Sequence, residues 1–245
     1  MKQFKIYLSI VTLVSLAVCC SKDYPVTATN TPLATDKAYV KVVSATLSAA
    51  RNYVYSNTIP LSGNALVYGG NFPANSSAYS VVYTSFNNLT VKDTSAITTQ
   101  LPITFLAPLE GGKYYSLFTF DTITATKYKF VEDKLSFNLP DTAARVRFAN
   151  LIFSTTPIPN VDIYSKKLNA NVFSNISSAS ITDFLPYQSK QVDTLLVRET
   201  GTTNLLFQFN TFIPDVNRYY TLVYRGRAQN TTGAVARTLD RVINY

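Results

Sequence analysis

ARVRFANLIFSTTPIPNVDIYS, running from Ala144 to Ser165, decides how this chain folds. Val146 and Phe148 fall on one side of an extended segment, and Arg145 and Arg147 on the other. That period-two alternation marks a half-buried strand. It puts Val146 and Phe148 inward and turns Arg147 toward solvent, where truncation is predicted to cost less than ~0.5 kcal/mol. Pro157-Ile158-Pro159 then makes a loop, and Val161–Ser165 a second strand.

The same pattern occurs earlier as AYVKVVSATLSAARNYVYS, Ala38 to Ser56. Ala38, Val40, Lys41 and Val42 stand opposite Ala144, Val146, Arg147 and Phe148, and Val54-Tyr55-Ser56 opposite Ile163-Tyr164-Ser165. Lys113-Tyr114-Tyr115-Ser116-Leu117-Phe118 matches Arg218-Tyr219-Tyr220-Thr221-Leu222-Val223. The offset is 106 residues at Ala38 and 105 at Lys113. Solenoid units run to roughly 20–50 residues, so a spacing this long indicates duplicated domains.

Working outward, the first copy offers strand candidates at Tyr39–Val43, Arg51–Ser56, Ala65–Tyr68, Tyr79–Ser85, Leu89–Lys92, Thr98–Leu106, Tyr114–Asp121 and Tyr128–Val131. The second offers Arg145–Phe153, Val161–Ser165, Asn171–Phe173, Ser180–Leu185, Asp193–Arg198, Asn204–Asn210, Arg218–Arg225 and Val235–Ile243. Turn residues such as Gly69-Gly70-Asn71 and Gly111-Gly112 separate them, and no stretch keeps a helical period. Many short, regularly interrupted strands predict an all-β sandwich for each copy. The short link Asn138-Leu139-Pro140-Asp141-Thr142 should hold the copies close, with limited hinging.

Residues 1–19 read as an export signal: Lys2 and Lys5 precede an apolar run, Ile6 to Val18, shorter than the ~20 residues of a membrane span. Leu16-Ala17-Val18-Cys19-Cys20-Ser21 looks like a bacterial lipoprotein box, with Cys20 as the acylated residue because the smaller Cys19 then precedes the cut. An ordinary cleaved signal with two incidental cysteines is the alternative. Cys20-Ser21-Lys22-Asp23 also resembles lipoproteins of the Bacteroidetes. Residues 20–35, rich in Thr, Pro, Ala and Asn, read as a flexible tether. With both cysteines at the leader, the two domains, 36–140 and 141–245, contain none and must be held by burial.

The chain carries a formal charge of +8, with +2 in residues 36–140 and +4 in 141–245. The charges are scattered, whereas a nucleic-acid binder shows a basic stripe. There is no histidine, which removes His-dependent triads and imidazole metal sites. No Ser-x-x-Lys motif and no Gly-rich phosphate loop is present. Carboxylate-pair hydrolysis needs only two acids. Asp162, Asp183 and Glu132 are the candidates, with Asp162 and Asp183 expected instead to cap turns.

Tyr53, Tyr55, Tyr68, Tyr79 and Tyr83 crowd the first copy. Aromatic faces with a hydroxyl at the rim can stack on sugars, and the same residues can be core and cross-strand pairs. Thr122, Thr142 and Thr194 each follow Asp and precede an apolar residue, the pattern of O-glycosylation in Bacteroidetes. Thr142, in the link between copies, is the one expected to be best occupied.

The second copy resembles the domain-of-unknown-function 4397 family of bacterial envelope proteins. The residues that carry the resemblance are Ala144–Asn150, Pro159-Asn160-Val161-Asp162-Ile163-Tyr164, Asn171-Val172, Asp183-Phe184-Leu185-Pro186 and Leu196-Val197-Arg198. The resemblance covers most of residues 143–225, and the first copy departs from it at Asn52-Tyr53. It implies an immunoglobulin-like sandwich on an exported protein and lends no catalytic residues.

The sequence therefore predicts two tandem immunoglobulin-like antiparallel β-sandwich domains behind a lipoprotein signal peptide. The expected protein is a non-enzyme without metal or cofactor, lipid-anchored in the outer membrane on its periplasmic face or at the cell surface. It would serve in binding, adhesion or scaffolding with a protein or glycan partner. The alternative is an accessory glycan-binding lipoprotein of a polysaccharide-uptake system. An exposed apolar patch or a long bare edge strand would favour the first reading, and coplanar exposed tyrosines on one face the second.

Overall fold

A computed structural model describes residues 35–74, 77–136 and 141–245. The leader, Cys20, the tether and most of the link between the copies lie outside these residues.

The first half carries β1 (Lys37–Ser44), β2 (Asn52–Ser56), β3 (Ile59–Pro60), β4 (Asn71–Phe72), β5 (Ser80–Tyr83), β6 (Asn88–Asp93), β7 (Ile103–Leu106), β8 (Tyr114–Phe120) and β9 (Lys127–Glu132). The second carries β10 (Ala144–Asn150), β11 (Val161–Ser165), β12 (Ala170–Ile176), β13 (Ser180–Ile181), β14 (Leu185–Tyr187), β15 (Asp193–Glu199), β16 (Leu205–Phe212), β17 (Tyr219–Arg225) and β18 (Thr238–Ile243).

The halves repeat one plan strand for strand. Sheets β4-β1-β8-β9 and β3-β2-β6-β7 in the first correspond to β13-β10-β17-β18 and β12-β11-β15-β16 in the second. In each, the first strand is shared at its outer edge by two short strands, β4 and β5 or β13 and β14. The fold is all-β and its pairings are antiparallel except β1 with β8 and β10 with β17, which are parallel. Two sequence expectations change. Ala65–Tyr68 forms no strand and holds only a bridge from Leu66 to Asn52. Ser180–Leu185 splits into β13 and β14, so that the two pieces can follow successive stretches of β10.

Each sandwich has its own apolar core. Val40, Val42, Val54, Val91 and Leu117 fill the first, and Val146, Phe148, Ile163, Val197 and Leu222 the second. A third apolar cluster joins Val43, Ala45, Phe118 and Phe120 to Ala149, Leu151, Val223 and Val242. Sheet β4-β1-β8-β9 therefore packs on sheet β13-β10-β17-β18, and the four sheets form four layers. This arrangement overturns the solvent-facing reading of Arg147, whose side chain is 2% exposed. Val146 and Phe148 do face inward, at 0% exposure.

The two halves meet with matching faces. Lys41 pairs with Ser116 in the register of β1 and β8, as Arg147 pairs with Thr221 in that of β10 and β17. At the rim of this contact Arg225 of the second half lies 4.3 Å over the ring of Tyr68 and pairs with Asp240. Gly69 makes room for it: a Cβ there would stand 2.5 Å from the guanidinium. The Tyr219 hydroxyl accepts a hydrogen bond at 3.0 Å from the Ser136 amide, just before the link.

Candidate functional site

The contact between the halves holds the densest set of titratable side chains. Asp133, which follows β9, is buried and accepts four hydrogen bonds. The donors are Arg147 Nη1 at 2.5 Å, Tyr79 Oη at 2.6 Å, Ser116 Oγ at 2.6 Å and Asn244 Nδ2 at 3.0 Å. Arg147 also donates from Nε to Thr221 Oγ1 at 2.8 Å and from Nη2 to Ser116 Oγ at 2.8 Å. The Thr221 hydroxyl in turn donates to Asn244 Oδ1 at 2.6 Å. The guanidinium lies 4.5 Å from the centroid of Phe184 and 5.3 Å from that of Phe118. A buried charge persists when it is paired and its remaining donors are satisfied, and this cluster meets both conditions. It works chemically as a closed joint.

Lys41, equivalent to Arg147, enters the same layer. Its ammonium lies 5.1 Å from the Tyr79 ring centroid and donates to the Pro73 carbonyl at 3.5 Å. Burial pulls the Lys41 amine down to about 8, against the opposing pull of Asp133. Burial first, then Asp133, push the Tyr79 hydroxyl well above its ordinary range. The signs predict a pH response. Between about pH 8 and the ordinary lysine value, the unfolded chain binds a proton that folded Lys41 has released. Stability therefore rises with pH in that window. A pH series of urea unfolding should show this rise in the parent and a flatter profile in Lys41→Met. Parallel profiles would contradict the assignment.

The five tyrosines do not make one platform. Tyr53 and Tyr55 lie on the outer face of β2, with ring centroids 6.5 Å apart and planes at 38°. Lys92 covers Tyr55 at 4.5 Å, and the equivalent Arg198 covers Tyr164 at 3.8 Å. Tyr68 and Tyr79 serve the contact between halves, and Tyr83 sits exposed on the edge strand β5.

Of the candidate threonines, Thr142 is exposed. Thr122 is half-buried and shares a hydroxyl contact with Thr124 at 3.2 Å. Half-buried Thr194 donates to the Asn210 carbonyl at 3.1 Å. Asp162 is buried and saturated by the Asn175 and Gly201 amides, the Thr200 hydroxyl and the Asn171 side chain, as a turn clamp would be. Burial opposes its ionisation, but the four donors hold its carboxyl below the usual value. Asp183 is exposed beside Lys134 at 3.8 Å, and Glu132 lies 3.4 Å from Lys113.

Two features offer themselves to other molecules. β16 is the terminal strand of its sheet, eight residues long, and LLFQFNTF contains no charge and no proline. β12, at the opposite edge of the same sheet, is also uncharged. Of the devices that commonly blunt such edges, charge, proline or a bulge, each of these two strands carries only bulges, at two register shifts against its inner neighbour. The second feature is a cavity of about 140 Å³ at the end of the second sandwich, with Ile158 and Pro159 of the proline loop on its wall. That loop was visible in the sequence as the proline-bearing connection before Val161–Ser165. Asp133, Asn244 and Lys41 were not visible as a set, because they meet only once both halves are folded.

Neither the family models nor the curated proteins include a match to this chain.

Proposed function

We propose that this protein is a non-catalytic lipoprotein of the cell envelope, anchored in the outer membrane through Cys20, that binds or scaffolds another envelope component. The observation that carries the reading is the uncharged, proline-free β16 edge. An exposed strand of that length pairs with an added extended segment through main-chain hydrogen bonds. The partner we assign is an extended, uncharged segment of another envelope protein. The saturated Asp162 carboxylate and the dispersal of the five tyrosines support binding by this edge over hydrolysis or a sugar-stacking face. The nine-strand plan of each half supports the immunoglobulin-like assignment, which variable-type domains share.

A photo-activated cross-linker at Asn210 on β16 should capture a discrete partner in the native host. The same group at Lys129, exposed on β9, should not. No product at Asn210, or the same product at both sites, sinks the edge assignment. Anchoring is tested separately: Cys20→Ala should move the protein from the membrane to the soluble fraction. A variant that stays with the membrane, with Cys19 unmodified, removes the lipoprotein assignment.

A further inference from the structure

We propose that the cavity at the end of the second sandwich binds a neutral, ring-sized apolar group that presents one hydrogen-bond acceptor to the Tyr224 hydroxyl. The cavity measures about 140 Å³. A dry engineered cavity of roughly 150 Å³ lined by Leu, Ile and Phe takes up benzene. Its wall is apolar, built by Ile152, Ile158, Pro159, Val161, Leu206 and Ala228. Glu199 and Arg237 contribute one charge of each sign, which favours neither an anion nor a cation.

Tyr224 brings a hydroxyl-bearing side chain to this wall. The residue is 2% exposed overall, and its hydroxyl is not among the fully buried polar atoms left without a partner. Burial pushes that hydroxyl up to about 12, with Arg237 opposing, so it remains a donor at neutral pH. A ligand acceptor bonded to this hydroxyl would add one hydrogen bond to the apolar contact.

The cavity departs from the duplicated plan. In the first half Thr46, Asn52 and Thr119 stand where the second has Ile152, Val161 and Tyr224, and all three are buried polar residues. The repeated architecture alone therefore does not require it.

The test uses the mature protein with labelled methyl groups, titrated with phenol and with toluene. Both should give saturable shifts at Ile152, Ile158, Val161 and Leu206. Phenol, the one with an oxygen acceptor, should bind about 2- to 12-fold more tightly, the fold-change for one hydrogen bond. Tyr224→Phe keeps the ring and the packing and should bring phenol to the toluene level. Ala228→Leu should reduce binding of both by filling space. Absence of saturable shifts with either probe overturns the site, as does binding that ignores both variants. Equal affinity for the two probes in the parent overturns the role of Tyr224.

Discussion

Arg147→Ala is expected to destabilise the protein by about 3–5 kcal/mol, the range for breaking a buried ion pair from one side. The loss leaves the Asp133 carboxyl at 0% exposure with its cationic partner gone. It also strips Thr221 and Ser116 of donors and opens space between Phe118 and Phe184. Urea unfolding measures the effect directly. Replacing both members by apolar residues, Arg147→Met with Asp133→Leu, should cost much less than the single change, because no stranded charge remains. A single-mutant loss below ~1 kcal/mol would show that the joint contributes little.

Phe148→Ala should produce a loss of similar size by a different cause. The ring is fully buried in the second half's own core, with its centroid 6.1 Å from that of Phe173. Truncation removes its transfer free energy and leaves a cavity, together about 3–5 kcal/mol. The same unfolding series reads it as a lower midpoint at unchanged slope. A loss under ~1 kcal/mol would mean that Phe148 does not face that core.

These two neighbours show what the sequence could and could not reveal. Period-two alternation separates the faces of a strand, and it placed Val146 and Phe148 correctly. It does not say what covers the other face. Charges at Lys41, Arg145 and Arg147 read as solvent, yet the other half's sheet lies over Lys41 and over Arg147, and the first half supplies Asp133 to Arg147. The signal that could have found this was the duplication itself. Lys41 and Arg147 occupy the same position in both copies, amid residues such as Val43 and Ala149 that are apolar on the nominally wet side. The short strands β3 and β4 escaped notice because two residues cannot show a period. The end cavity was half legible. Its proline loop stands out in the sequence, whereas Tyr224 and Leu206 reach it only through the folding of β17 and β16.

The difference between Asp133 and Asn244 also decides which halves can meet when many chains fold side by side. The two residues occupy matching places, one after Glu132 opposite Tyr115 and one after Ile243 opposite Tyr220. Two second halves from different molecules, pressed together by the same face, would bury two guanidiniums against two neutral amides. Two first halves would bury two ammonium groups and two carboxylates without the bidentate reach of arginine. Only a first half with a second brings one carboxylate to one guanidinium. Divergence at a single pair of positions thus works against cross-association of like halves, while each chain closes on itself.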